Sequence, residues 1–144
     1  MKKIMALALL FTFICSFVSV YANEEITVIL NGEELEFDVP AQMIQDRTLV
    51  PMRKIFESLG ATVEWAEADQ LILASYESKL LSIVIGNQEI HLVDVKTGEQ
   101  NKIFLDVPAQ IINDRTLVPL RAVAESLSAK VEWDEATKTV TIIK

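Results

Sequence analysis

The side chains that could carry chemistry in this chain come in pairs. Asp46-Arg47 is followed by Pro51, by Arg53 and Glu57, and by Trp65. Asp114-Arg115 is followed at the same intervals by Pro119, Arg121, Glu125 and Trp133. Such a doubled set is either two copies of an active site or two copies of a building block. The local grammar favours the building block. Pro51 and Pro119 suit the first turn of a helix, where a missing N–H costs nothing. Arg53 reaches Glu57, and Arg121 reaches Glu125, at the i, i+4 spacing of one helix face. Asp46 and Asp114 are placed to cap a turn or to pair with the adjacent arginines. Trp65 and Trp133 could form aromatic platforms for sugars or peptides. Alternation, however, puts Trp65 on the side of Val63 and Trp133 on the side of Val131, which favours packing against the core.

The remaining reactive residues are sparse. His91 lies between Ile90 and Leu92 in an expected strand, and a working imidazole needs an orienting partner, so it reads as a solvent-facing strand residue. Glu64 and Glu132 precede the tryptophans, and Asp134-Glu135 sits in an expected turn. Nothing in their spacing nominates two carboxylates facing across a cleft. The DEAT turn lacks the dense alternating oxygens of a calcium loop. Serine-nucleophile patterns, glycine loops for phosphate and metal-binding pairs are absent from the sequence. We expect no catalytic residues, no cofactor and no metal.

The chain opens MKKIMALALLFTFICSFVSVYA. A short basic stretch, an apolar run from Ile4 to Val20 and the small-residue pattern Val20-Tyr21-Ala22 form a secretory signal, with cleavage expected after Ala22. An uncleaved anchor fits less well, because the run is near the minimum for spanning and no basic cluster follows. A lipid anchor at Cys15 is disfavoured by Ile14 before it and by the apolar run continuing after it. Removing a segment with two lysines and no acid takes the formal net charge from −8 to −10. Residues 23–144 contain no cysteine, so stability rests on core burial rather than disulfides. So acidic a protein has no electrostatic footprint for nucleic acid, and bulk charge does not draw it to anionic membranes or wall polymers.

These residues sit in a duplication. Asp38–Ala68 and Asp106–Ala136 match at 22 of 31 positions without a gap. Each unit predicts a hairpin, a helix and a second hairpin. In the first, ITVIL leads through Asn31-Gly32, a strong hairpin turn, into the alternating strand ELEFDV. Pro40 ends that strand, and AQMIQD connects it to RTLV. Met52, Ile55, Phe56 and Leu59 then form an apolar helical stripe, stopped by Gly60. ATVEW and LILAS form the second hairpin. The second unit repeats the stripe as Leu120, Val123, Ala124 and Leu127, but Ser128 replaces the glycine and predicts a less favourable stop. KLLSIVIG adds a strand between the units. The fold class is α+β: two tandem hairpin–helix–hairpin repeats, with antiparallel sheets each packed around one short helix. The expected organisation is a signal peptide at 1–22, one repeat at 23–86 and another at 87–144, the two repeats packed as one unit.

Laid out this way, DVPAQ, DRTLVPLR, ESL and AKVEWDEATKTVTI resemble the copper amine oxidase N-terminal-like, or stalk, domain family over nearly all of residues 26–143. The departures are Ser128 for the usual glycine and AEAD in unit one for the usual WDEAT. The resemblance implies an α+β accessory module on secreted and surface proteins of Gram-positive bacteria. It does not bring copper or oxidase chemistry, since residues 23–144 hold one histidine, His91, one tyrosine, Tyr76, and no cysteine. The expected role is a secreted, non-catalytic binding module, extracellular or associated with the cell surface, with no membrane span after cleavage. It would engage a protein or cell-wall polymer. The alternatives are a self-associating spacer and a secreted inhibitor of an extracellular hydrolase. Because the family domain usually accompanies a larger domain, the module is expected to act alone or through a second chain.

Overall fold

In the computed structural model, which describes residues 25–144, the duplicated octapeptide Asp46–Arg53 pairs with its own copy, Asp114–Arg121. The chain runs β1 (Thr27–Leu30), β2 (Glu33–Glu34), β3 (Gln42–Ile44), β4 (Arg47–Pro51), α1 (Met52–Ser58), β5 (Thr62–Ala66), β6 (Leu71–Tyr76) and β7 (Lys79–Val84). It continues through β8 (Glu89–Asp94), β9 (Gln100–Phe104), β10 (Gln110–Ile112), β11 (Arg115–Pro119), α2 (Leu120–Ser126), β12 (Lys130–Asp134) and β13 (Thr139–Ile143). β4 and β11 run antiparallel, with Val50 opposite Val118, Leu49 opposite Pro119 and Pro51 opposite Leu117. Val50 and Val118 are equivalent repeat positions, so an internal two-fold axis passes between them. The signal expected at residues 1–22 lies outside the described residues.

The fold is mostly β with two short helices, in three sheets ordered β12-β13-β1-β2, β10-β11-β4-β3 and β5-β6-β7-β8-β9. The repeats exchange hairpins. β1 of the first repeat lies parallel to β13 of the second. In the five-stranded sheet, β5-β6 of the first repeat and β8-β9 of the second flank β7. The sheets are thus shared between repeats, and one is mixed rather than wholly antiparallel. Sequence alternation states which face of a strand is buried, not which strand lies beside it.

A helix of seven residues is marginal alone, so its stability comes from the apolar stripe it buries. Met52, Ile55, Phe56 and Leu59 enter the main core, as do Leu120, Val123, Ala124 and Leu127. Leu49, Val107 and Leu117 form a smaller cluster. Gly60 has φ +88°, the left-handed value that ends α1; its counterpart Ser128 takes φ +66° with a side chain attached.

Three local expectations need correction. Pro51 and Pro119 end β4 and β11 and stand one residue before the helices, as extended N-cap residues with ψ 124° and 116°. Their missing N–H groups cost nothing to the helices there as well. The strand expected over ELEFDV stops at Glu34; β2 pairs with β1 through only two residues before the chain leaves to carry Asp38 toward the second repeat. AQMIQD is not a plain connection. It forms β3 and a two-residue turn, with Gln45 and Asp46 at φ 48° and 62°, repeated at Asn113 and Asp114 with φ 50° and 59°. Two successive left-handed residues are the signature of the tight hairpin turn that matches strand twist.

Candidate functional site

The first arginine of each octapeptide faces the other repeat. Arg47 Nε donates to Asp106 Oδ2 at 2.9 Å, and its Nη2 also meets that oxygen. Reciprocally, Arg115 Nε donates to Asp38 Oδ2 at 2.7 Å. Each arginine adds a bond to the backbone carbonyl of the aspartate before it, at 3.1 Å from Arg47 and 3.3 Å from Arg115. Asp46 and Asp114 therefore do not pair with the adjacent arginines through their carboxylates; they occupy the left-handed turn that aims those arginines across the axis. The Arg115 guanidinium holds the Asp38 carboxyl below its ordinary range.

The helix pairs form as the spacing implies. Arg53 Nη1 lies 3.2 Å from Glu57 Oε1, and Arg121 Nη1 lies 3.3 Å from Glu125 Oε1. The same nitrogens reach the carbonyls of Val63, at 3.5 Å, and Val131, at 3.0 Å. Each arginine thereby stitches its helix to the strand carrying the tryptophan. Trp65 and Trp133 are half-buried and pack against the core. Trp133 Nε1 donates to Glu135 Oε2 at 2.8 Å.

These residues line two related grooves. One, of about 530 Å³, is bounded by Arg47, Asp106, Pro119, Arg121, Glu125 and Trp133. The other, of about 670 Å³, is bounded by Arg115, Asp38, Pro51, Arg53, Glu57 and Trp65. Each takes its crossing arginine from one repeat and its helix and tryptophan from the other. The structure thus brings all twelve singled-out positions to two groove regions, with Asp46 lining the first and Asp114 the second.

The grooves have diverged. At equivalent positions the first has Phe104 and Ala122 where the second has Glu36 and Lys54. Phe104 is 67% exposed, and Met43 beside it is 45% exposed. Phe104 is thus aromatic surface on the groove wall rather than core. Sequence reading missed four of these wall residues. Asp38 and Asp106 were visible only as retained letters of the duplication. Phe104 ends β9 inside the apolar run Ile103-Phe104-Leu105, where it reads as core, and Met43 lay in the segment taken as a connection.

His91 is half-exposed on β8, with Nε2 3.3 Å from Glu89 Oε2. Lys102 also meets Glu89 Oε2, at 3.1 Å, and lowers that carboxyl's pKa. Among the described residues, no group of three or more His, Cys, Asp or Glu side chains converges to hold a metal, and no helix is long and apolar enough to cross a membrane.

Two seven-residue helices, three shared sheets and a pair of grooves across an internal axis define a duplicated α+β domain of the stalk type. Residues 29–142 match the copper amine oxidase N-terminal domain, and the chain belongs to that family. It is also 30% identical over 146 residues to a protein of Brevibacillus choshinensis named "Protease inhibitor", a match covering 97% of this chain and 41% of that protein. The chain therefore spans less than half the length of this relative.

Proposed function

We propose that the chain is a secreted, non-catalytic module that binds a partner protein in the groove walled by Phe104, Met43 and Trp133. The observation that carries this reading is the divergence of two equivalent grooves. One retains charged walls at Glu36 and Lys54, while the other has an exposed phenylalanine and an alanine there. Apolar and aromatic surface at the centre of a patch, rimmed by Arg–Asp and Arg–Glu pairs, is the anatomy of a protein contact. The acidic balance works against anionic wall polymers. The name of the Brevibacillus relative supports a protein partner, with a secreted protease as the first class to test.

The test is residual activity of purified secreted serine, cysteine and metallo-proteases titrated with residues 23–144, beside sedimentation with isolated cell-wall sacculi. The reading expects saturable inhibition of at least one protease and no co-sedimentation. Replacing Phe104 by glutamate, the residue of the sibling groove, should weaken inhibition by about tenfold or more. Co-sedimentation at both low and high salt, with every protease unaffected, would overturn it in favour of a wall-binding role.

A further inference from the structure

The outer face of the five-stranded sheet carries exposed aliphatic side chains among its polar ones, where a one-sided antiparallel sheet should be polar. Its inner face is conventional: Ile72, Ala74, Leu81, Ile83 and Ile90 are buried. On the outer face, however, Leu73 is 41%, Leu80 47% and Val84 36% exposed. Leu80 and Val84 lie on β7, the middle strand, so the apolar surface is centred on the sheet. The cross-strand row through Leu73 reads Glu64, Leu73, Ser82, His91, Lys102 from edge to edge. It carries an acid at one end and a base at the other.

We propose that this face is a self-complementary surface that packs against a second copy of the chain, related by a two-fold axis running along β7. That rotation places β5 of one copy over β9 of its partner and β7 over β7. Leu80 and Val84 then meet their own counterparts on the axis. Glu64 comes over the partner's Lys102 at one edge, and Lys102 over the partner's Glu64 at the other. Lys102 already contacts Glu89 within its own sheet, so it brings a partly neutralised charge to the interface. Stacked sheets pack about 10 Å apart with strand directions within about 30°, an arrangement that five short strands can adopt. With strands spaced about 4.8 Å and a rise of about 3.3 Å per residue, the face covers on the order of 400 Å² per copy. This is below the usual size of a stable interface, about 800 Å² per partner, so the dimer belongs to the weak, concentration-dependent class.

The experiment is sedimentation equilibrium of residues 23–144 from micromolar to millimolar concentration. A mass rising toward twice the monomer is expected. Leu80→Glu, checked for unchanged circular dichroism, should raise the dissociation constant by about tenfold or more by placing two like charges on the axis. Glu64→Lys and Lys102→Glu should each weaken the homodimer. Mixing these two variants should restore association, because every edge pair is then opposite in sign. A monomer at all concentrations overturns the proposal, as does a dimer indifferent to Leu80→Glu or a mixture no tighter than its components. Lys102 and Phe104 alternate onto the same face of β9, whereas Leu80 lies on β7 and outside the groove lining. Leu80→Glu is therefore the variant that separates the two readings: it should weaken self-association and leave protease inhibition unchanged.

Discussion

Ser128 is one of several non-glycine residues held at positive φ, and the one whose repeat counterpart is a glycine. It holds a left-handed conformation at the end of α2, where Gly60 ends α1 without a Cβ to strain. Its hydroxyl accepts from Lys79 Nζ at 2.9 Å, an exposed contact of small worth. Ser128→Gly should therefore stabilise the protein by about 0.5–1 kcal/mol, and Gly60→Ser should destabilise it by about 1 kcal/mol, read as opposite shifts of the urea midpoint at unchanged slope. The ion pairs set a second expectation. Asp38 is held below its ordinary 3.8 chiefly by Arg115, and Glu89 below 4.5 chiefly by Lys102. Glu135 is lowered by Lys138 and Trp133, and Asp94 by the backbone amides of Lys96 and Thr97. A carboxyl whose folded pKa is depressed contributes stability that is present above its unfolded pKa and lost as pH falls through the folded one. The urea midpoint should hold level from pH 7 to about 5 and decline steadily below that. Asp38→Asn should lower the neutral-pH midpoint and flatten part of the acid decline. A midpoint independent of pH down to 3 would contradict the ion-pair assignments.

At the scale of elements, the helices are short and held by what they bury. Phe56 is fully buried on α1, and its repeat equivalent on α2 is Ala124, also fully buried. The duplication thus keeps one large and one small side chain at equivalent helix positions in a single core. Phe56→Ala should cost about 3–5 kcal/mol, and Ala124→Phe about 1–3 kcal/mol or more by overpacking, both measured by denaturant unfolding. Much of this was legible beforehand. The apolar stripes, the Arg–Glu spacings and the Gly60 stop each depend on neighbours within a few residues, and each stands where the pattern put it. The turns at Gln45-Asp46 and Asn113-Asp114 were not legible, because they adopt left-handed geometry without the glycine that usually announces it. The Arg47–Asp106 and Arg115–Asp38 pairs were hidden for another reason. Each crosses between repeats, and a duplicated motif reads equally well as contacting itself or its twin.

At the scale of the molecule, the duplication has become an internal dimer. β1 needs β13, β8 needs β7, and each groove takes one wall from each repeat. Neither repeat alone can close its sheets, and the open edges would expose unpaired strands. Unfolding should accordingly be one cooperative transition, with the same midpoint by tryptophan fluorescence and by far-ultraviolet circular dichroism. The grooves exist only in this joined state, which ties the proposed binding role to the exchange of hairpins. The most direct test is to produce residues 23–86 and 87–144 as separate chains and record their circular dichroism apart and mixed. Each should be largely unfolded alone, and the mixture should regain the β-rich spectrum and a cooperative melt. If either fragment folds cooperatively by itself, the repeats are independent domains and the shared grooves do not form as described.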